Sequence, residues 1–292
     1  MKTLLIVDAN SLIHRAFHAL PPLSDSSGNQ TGALYGLSSM ILKVVRELKP
    51  DFAAAAYDRP EPTFRKQEYA EYKIHRPKLA DELAAQFGRS KDVFSAFRIK
   101  SFEAPGFEAD DLIATIAERF KGTRDLDKII ILTGDLDSLQ LVEDNRVVSW
   151  VPKKGITEFT EYDRDEVVSR LGVPPEMVTD FKGLVGDTSD NIPGVSGVGP
   201  KTAASIINTY GTLEDLYLLS PAPKNSALKR ILENKETALL SKKLATVRRD
   251  APLGEINLSD LSLSKLKSEE LADFFDKMGF KNLSERVKTS GI

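Results

Sequence analysis

Short apolar runs that end in aspartate recur along the first half of the chain. Leu4–Asp8, Phe52–Asp58 and Lys128–Asp135 are largely apolar and show no polar alternation. Continuous runs of this length are typical of strands that are buried on both faces of a sheet. Arg146–Val151 predicts a further strand of the same sheet.

Helical patterns separate these predicted strands. Apolar residues recur at helical spacing in Ser11–Leu20, Leu34–Lys49 and Asp110–Phe120. Alternating strands and helices predict an α/β fold with a mostly parallel sheet and helices on both faces. After about Tyr162 the strand pattern fades, and the chain predicts helices separated by Gly and Pro. We therefore expect an α/β core over residues 1–161 and a helical region over residues 162–292.

The composition is that of a globular protein with a large core: 292 residues, 41% hydrophobic and 28% charged. The N-terminal MKTLLIVDAN is interrupted by Asp8, so it predicts a first strand rather than a signal peptide. No apolar run in the sequence has the length of a membrane span. These features favour a cytoplasmic protein. The absence of cysteine excludes disulfides and Cys-ligated zinc.

The net charge of −3 conceals a basic segment. Between Arg59 and Lys100 ten Lys and Arg residues outnumber six acidic ones, and Tyr69 and Tyr72 lie among them. Aromatic rings that stack on bases, next to cations that follow phosphates, are typical of single-strand nucleic-acid binding. A solvated amphipathic helix with inward tyrosines explains the same pattern, and for Tyr69 both interpretations stay open.

Carboxylates follow the predicted strands and recur further along the chain. Nine are candidate metal ligands: Asp8, Asp58, Glu108, Asp110, Asp111, Asp135, Asp137, Asp187 and Asp190. Taken singly, each fits a turn or a helix N-terminus. Ligands of parallel sheets, however, bind at the carboxyl ends of strands. Carboxylates that converge there repel one another unless cations bind.

Hard oxygen donors without cysteine favour Mg²⁺ or Mn²⁺ over zinc. Two such ions about 4 Å apart can promote phosphodiester hydrolysis without a protein nucleophile. His14 and His18 have the spacing of a metal pair, but the glutamate of a zinc protease is missing. Asn10 stands where a phospho-aspartyl phosphatase would need a second aspartate, which argues against that mechanism.

The stretch IPGVSGVGPKTAASII predicts a glycine hairpin followed by a helix. Gly194, Gly197 and Gly199 precede Pro200, and proline is favoured at the first position of a helix. Lys201 lies in the first turn, where a cation opposes the helix dipole. An anion bound to the backbone N–H groups there would remove this conflict.

These motifs, in this order, closely resemble the 5′-nuclease family, which includes the nuclease domain of bacterial DNA polymerase I and the flap endonucleases. LLIVDANSLIHRAFHAL resembles the family's first strand and helix, and YDRPEPTFRKQEYAEYK its second acidic strand end and arch. PGFEADDLIATIA, ILTGDLDSLQLV and KGLVGDTSDNIPGVSGVGPKTAASII resemble the remaining acidic motifs and the DNA-binding helix-hairpin-helix. The resemblance covers essentially the whole chain.

The resemblance implies a structure-specific 5′ nuclease that cleaves DNA near junctions of single strand and duplex, in replication and repair. It implies an arch at about residues 60–97 and a helix-hairpin-helix at about 176–209. The nine carboxylates would bind two Mg²⁺ or Mn²⁺ ions, directly or through water. Lys73 and Arg76 would act on the scissile phosphate, with Arg65 supporting DNA binding and Tyr72 stacking on the displaced base.

In the same way, the hairpin would hold the duplex through Gly194, Gly197, Gly199, Lys201 and Thr202, with a monovalent cation such as K⁺ at its carbonyl groups. The resemblance further implies a monomer that works on the bacterial nucleoid, with a DNA polymerase domain or polymerase as partner. Whether the chain is a complete protein or a polymerase domain stays open.

Two departures and two rival functions qualify this interpretation. Leu136 stands where relatives often carry a charged residue, and Ile74 and His75 are larger or less polar than expected before Arg76. A DNA-binding module could use the hairpin and arch with structural carboxylates only. A PIN-type ribonuclease shares an acidic sheet but normally lacks the arch and hairpin.

Overall fold

A six-stranded sheet forms the centre of the first half of the chain. The computed structural model describes residues 1–25, 27–156 and 158–292. The strands are β1 (Thr3–Asp8), β2 (Phe52–Ala56), β3 (Lys100–Phe102), β4 (Lys128–Leu132), β5 (Val147–Lys154) and β6 (Glu158–Tyr162). Their order is β3-β2-β1-β4-β5-β6, and all neighbours are parallel except β5 and β6. The predicted mostly parallel sheet is confirmed.

Helices cover both faces of the sheet and form the second half of the chain. They are α1 (Ala9–Ala19), α2 (Gly32–Leu48), α3 (Phe64–Glu68), α4 (Asp81–Ala96), α5 (Ala109–Phe120), α6 (Arg164–Leu171), α7 (Val178–Val185), α8 (Pro200–Tyr210), α9 (Leu213–Leu219), α10 (Ser226–Glu233), α11 (Lys235–Ala245), α12 (Ser268–Lys277) and α13 (Lys281–Ser290). The three helices predicted from periodicity are α1, α2 and α5. In the part of the chain that the structure describes, no helix combines the length and apolar character needed to cross a lipid bilayer.

The two faces of β1 bury alternate residues in two different cores. Leu5 and Val7 pack with α1, α2 and α4, whereas Leu4 and Ile6 pack with α5 and with residues 247–261. This alternation is the ordinary consequence of side chains that point to opposite faces of a strand. Because β1 lies between β2 and β4, the carboxyl ends of three central strands meet at one crevice.

The helical second half contributes to two cores. Helices α7 to α11 enclose a separate apolar cluster that extends from Val173 to Ala238. The last two helices instead bury Leu271, Phe275 and Leu283 in the same cluster as Leu5. The expected division of the chain at residues 161 and 162 stays a prediction, and α12 and α13 pack with the sheet layer.

Candidate active site

Asp8 lies at the centre of the crevice because it is both the last residue of β1 and the N-cap of α1. Its Oδ1 accepts a hydrogen bond from Ser11 N at 3.0 Å, and its Oδ2 accepts one from Thr133 Oγ1 at 2.6 Å. The carboxyl group is buried. The helix start therefore fixes its orientation at the mouth of the sheet.

Three more aspartates reach this crevice from neighbouring elements. Asp58 follows β2, and its Oδ1 accepts a hydrogen bond from Ala109 N, at the start of α5, at 2.7 Å. Asp110 lies in the first turn of α5. Asp135 follows β4, and its Oδ1 accepts a hydrogen bond from Asp137 N at 2.9 Å. We call Asp8, Asp58, Asp110 and Asp135 the unpaired quartet.

The carboxylates of the unpaired quartet lie close together in the crevice, and the described structure has no cation paired with them to balance their charge. Burial raises the pKa of Asp8 to about 7, and the charges of Asp58 and Asp135 add to this effect. Burial, followed by the charges of Asp135 and Asp8, raises the pKa of Asp110 well above its usual range. Burial also raises the pKa of Asp58. Among the described residues, no Lys or Arg forms an ion pair with these four side chains.

The other carboxylates of the crevice have cationic or phenolic partners, and we call Glu108, Asp137, Asp187 and Asp190 the paired quartet. Lys73 Nζ donates a hydrogen bond to Glu108 Oε2 at 2.8 Å and lies 3.5 Å from Asp190 Oδ2. The Tyr72 hydroxyl donates to Glu108 at 3.0 Å or to Asp190 at 3.1 Å. Arg76 Nη2 lies 3.4 Å from Asp190 Oδ1.

Lys182 of α7 forms ion pairs with the remaining two members, Asp137 and, at 2.8 Å, Asp187. Burial alone would raise the pKa of Asp187, but Lys182 and the hydrogen bonds from Ser189 lower it to about 2. For Glu108, burial is likewise outweighed by the charges of Lys73 and Arg65, so its pKa lies below the usual value. The carboxylates of the paired quartet thus lie beside cations of the chain itself.

Lys73 and Arg76, the predicted catalytic residues, both reach the crevice from the segment between α3 and α4, which lies within the predicted arch. Lys73 has a left-handed backbone with φ of 53°, and its backbone N–H donates to Asp190 O at 2.9 Å. Its side chain is only 17% exposed, whereas that of Arg76 is 53% exposed. Both residues line a cleft of about 250 Å³ together with Asp58 and Glu108.

The structure does not support the predicted stacking of Tyr72 on a base. The ring is 3% exposed and packs against Ile192, Leu244 and Ala245. A ring with so little exposed surface offers no face to a base. The related Tyr69 is partly buried against the same cluster, so packing accounts for both tyrosines.

The predicted support of DNA binding by Arg65 stays a prediction, but the structure leaves its side chain no surface for direct contact with DNA. Arg65 is 2% exposed, and its Nη1 and Nη2 donate to the two carboxylate oxygens of Asp111 at 2.9 and 2.8 Å. Asp111 is fully buried and forms this pair outside the unpaired quartet. The structure therefore brings eight of the nine predicted carboxylates to the crevice and places Asp111 elsewhere. The ligand roles themselves remain predictions.

The predicted helix-hairpin-helix consists of α7, the intervening loop and α8. Gly194 is buried and has φ of 60°, and a Cβ atom there would lie 2.4 Å from Gly186 N. The structure therefore does not support direct DNA contact by Gly194, because the residue packs inside the hairpin. Gly197, Gly199 and Lys201 are exposed, and Thr202 is half-buried. These four can face a ligand.

Across residues 1–25, 27–156 and 158–292, no group of three or more His, Asp or Glu side chains forms a ready-made metal site. The donor set of the unpaired quartet nevertheless fits a hard divalent cation, because it offers only oxygen atoms and its charges repel.

The two histidines of α1, which have the spacing of a metal pair, make aromatic contacts: His14 lies edge-on to Phe87, and His18 lies edge-on to Phe17.

Sequence reasoning missed three polar residues of the site. Lys182 holds two carboxylates, Thr133 hydrogen-bonds Asp8, and Asn10 Oδ1 accepts from Asp58 N at 3.1 Å. Each lies within a few residues of a candidate carboxylate, in KGLVGD, LTGD and VDAN. Their proximity to the candidate carboxylates was the signal that the sequence offered.

The unexpected Leu136 packs in a small apolar cluster with Leu139 and Val142.

Comparison with known proteins gives matches along the whole chain. A family model described as the N-terminal resolvase-like domain of 5′-3′ exonuclease matches residues 3–172, and one described as its C-terminal SAM fold matches residues 173–269. DNA polymerase I of Bacillus caldotenax is 37% identical over 99% of this chain, and that of Bacillus subtilis is 38% identical over 98%. The chain spans 32% of the length of each.

Solved structures with a similar fold include a flap endonuclease of bacteriophage T5 in a pseudo-enzyme–product complex with DNA and metal ions. It is 22% identical, with a TM-score of 0.68 over 97% of this chain and 100% of its own. The catalytic core of Rad2 in complex with a DNA substrate is 15% identical, with a TM-score of 0.62 over 100% of this chain and 92% of its own. At these identities the likeness establishes the fold.

Proposed function

We propose that this chain, which belongs to the 5′–3′ exonuclease family, is a structure-specific, divalent-metal-dependent 5′ nuclease that hydrolyses DNA near junctions of single strand and duplex. The observation that carries the proposal is the unpaired quartet at the carboxyl edge of the sheet, next to Lys73 and Arg76. A crevice with excess negative charge and cations at one side suits a metal-bridged phosphate.

The unpaired quartet, with Glu108, Asp137, Asp187 and Asp190, would hold the metal ions, and Mg²⁺ or Mn²⁺ fits these oxygen donors best. When bound, two such ions lower the pKa of water and stabilise the charge of a phosphodiester during hydrolysis. That the T5 flap endonuclease structure contains metal ions and DNA supports a metal-dependent DNA nuclease. The choice of metal and the presence of two ions are part of the proposal.

The protein's own groups would position the DNA. The Lys73 ammonium and the Arg76 guanidinium would contact the scissile phosphate, because both lie at the crevice and are charged at neutral pH. Gly197, Gly199, Lys201 and Thr202 of the hairpin would contact the duplex backbone. K⁺ at the hairpin carbonyls is the monovalent ion that we propose there.

The relatives support a proposal for the cellular process and the partner of this chain. Since the curated relatives are DNA polymerases I of which this chain matches about a third, we propose DNA replication and repair as its role and a polymerase segment or protein as its partner. We further propose that the chain acts as a monomer on DNA in the bacterial cytoplasm. The division into a nuclease core and a helical DNA-binding region is part of this proposal.

The deciding experiment compares four substrates at equal concentration: 5′-flap DNA, blunt duplex DNA, single-stranded DNA and single-stranded RNA. Each is incubated with Mg²⁺, with Mn²⁺ or with EDTA. We expect metal-dependent cleavage of the flap near its junction, with a 5′-phosphate on the product, and little cleavage of RNA. Tight flap binding without cleavage in either metal would identify a binding module. Preference for RNA would identify a ribonuclease.

A further inference from the structure

Asp111 differs from its neighbour Asp110 in having no free acceptor capacity. Its Oδ1 accepts from Arg65 Nη2 at 2.8 Å and from Arg248 N at 2.8 Å. Its Oδ2 accepts from Arg65 Nη1 at 2.9 Å and from Glu108 N at 3.0 Å. A carboxylate offers about four acceptor positions. A metal ion could bind here only by displacing an existing donor.

Arg65 is almost as fully occupied. Besides its two bonds to Asp111, its Nε donates to Leu244 O at 2.9 Å and its Nη2 donates to Thr246 O at 3.1 Å. The pair is inaccessible to solvent. A bidentate, buried pair of this kind fixes the relative position of the segments that carry it. We call Arg65 and Asp111 the anchor pair.

The anchor pair holds both sides of the contact between Lys73 and Glu108. On one side, Arg65 belongs to α3, which leads directly into the turn that carries Lys73, and Lys66 Nζ donates to Tyr72 O in that turn at 3.1 Å. On the other side, Asp111 caps the backbone N–H of Glu108 at the start of α5. The carbonyls at the end of α11 bind the same guanidinium.

We propose that Asp111 and Arg65 are positioning residues that set the place of Lys73 at the site, and that Asp111 is not a metal ligand. This inference rests on the proposed function, because it assumes that Lys73 acts on the scissile phosphate. It assigns adjacent residues of one motif to different tasks: Asp110 faces the crevice, whereas Asp111 connects the arch, α5 and α11.

The first test measures Mn²⁺ binding to the full chain by titration calorimetry, without substrate. Asp111→Asn should bind Mn²⁺ with the wild-type stoichiometry and within about threefold of the wild-type affinity. Asp110→Asn, the matched control one residue away, should lose a site or bind more than tenfold more weakly. If Asp111→Asn loses Mn²⁺ to the same extent as Asp110→Asn, Asp111 is a ligand and the proposal fails.

Because removing one member of a buried ion pair destabilises a protein strongly, a second variant removes both charges. Arg65→Met with Asp111→Leu replaces the pair by apolar side chains of similar size and is expected to fold. It should keep the wild-type Mn²⁺ affinity but cleave flap DNA at least tenfold more slowly at saturating protein. A wild-type rate would overturn the positioning role.

The second test asks whether the effect passes through Lys73. In the wild-type background Lys73→Ala should slow saturated cleavage about a hundredfold. In the Arg65→Met/Asp111→Leu background the same substitution should cost less than tenfold, because Lys73 is already displaced. Equal losses in both backgrounds contradict the proposal. If wild-type protein neither binds Mn²⁺ nor cleaves flap DNA, it is the proposed function that fails.

Discussion

The unpaired and the paired quartet lie in the same crevice, yet the protein treats their charges in opposite ways. Lys73, Lys182 and Arg76 neutralise the paired quartet, and the pKa values of Glu108 and Asp187 are lowered. The unpaired quartet has no such cations, and the pKa values of Asp8 and Asp110 are raised. Cations of the chain itself therefore balance one half of the site, whereas the carboxylates of the other half have no such partners, which is the basis for proposing that a metal ion binds there.

Removing a charge from the unpaired quartet should have the largest effect. We expect Asp135→Asn to abolish flap cleavage in Mg²⁺, by a factor of at least about 10³, while the fold is kept. Because repulsion from Asp8 and Asp110 is relieved, the melting temperature of the metal-free protein should stay equal or rise. Thermal unfolding in EDTA and single-turnover cleavage measure the two effects.

The control for this variant is Asp125→Asn, which changes an exposed carboxylate outside the crevice. It should leave both quantities unaltered. Full activity of Asp135→Asn, or a large fall in its melting temperature, would contradict the assignment of Asp135 to a metal-binding group.

Removing the arch cation of the paired quartet should have the next largest effect. A positioned donor to a developing negative charge contributes roughly 2.7–4 kcal/mol. Lys73→Ala should therefore slow single-turnover cleavage about a hundredfold or more at saturating protein. Flap affinity should fall only modestly, since many phosphate contacts share it. Lys78→Ala, on the exposed part of the arch, is the control.

A Lys73→Ala variant that binds weakly but cleaves at the normal saturated rate would give Lys73 a role in guiding DNA to the site. It would then have no part in the chemistry.

Lys182→Met sharpens the comparison by converting part of the paired quartet into an unpaired group. Without Lys182, Asp137 and Asp187 repel each other, so the metal-free protein should melt several degrees lower, on the order of 3 °C. Its affinity for Mn²⁺ should rise, by roughly tenfold, because the lysine no longer competes for the carboxylates. Calorimetry with and without Mn²⁺ tests both; unchanged affinity would show that Lys182 does not occupy a cation position.

Lys201→Ala should have the smallest effect, because Lys201 lies in the hairpin and outside both quartets. Loss of one phosphate contact should lower the slope of log affinity against log salt by about one unit. Saturated cleavage and metal affinity should not change. Flap binding at several salt concentrations measures the slope, and an unaltered slope means that this lysine does not contact the backbone of the duplex.

The sheet and the crevice could be predicted because they rest on local patterns. Each central strand is a continuous apolar run that ends in or near aspartate, as at Asp8 and Asp58, and strand ends of a parallel sheet converge. The strands β3 and β6 were not predicted. β3 is three residues long, and β6 is partly exposed, so neither produces a long apolar run.

The roles of individual side chains could not be predicted in the same way, because they depend on partners from distant parts of the chain. Asp110 and Asp111 are neighbours in one motif, but Asp111 stands at the third helical position, where it caps Glu108 N. Glu108 and Asp111 are not the Ser/Thr and Glu/Gln pair that marks this cap in a sequence, so the sequence does not reveal it. The burial of Tyr72 is not visible either, because Ile192 and Leu244 come from distant segments. The pairing of Lys182 with Asp137 likewise joins residues that are far apart along the chain.

The return of α12 and α13 to the sheet layer has a mechanical consequence. Residues that form the predicted helix-hairpin-helix leave the sheet layer after β6 and rejoin it before α12, so the chain connects this region to the sheet layer at both ends. A domain on a single linker can rotate freely, whereas one attached at both ends is restricted to bending between them. If the chain has the proposed function, this connection would limit the spacing between a bound duplex and the crevice, and with it the number of nucleotides from the junction at which a strand is cut.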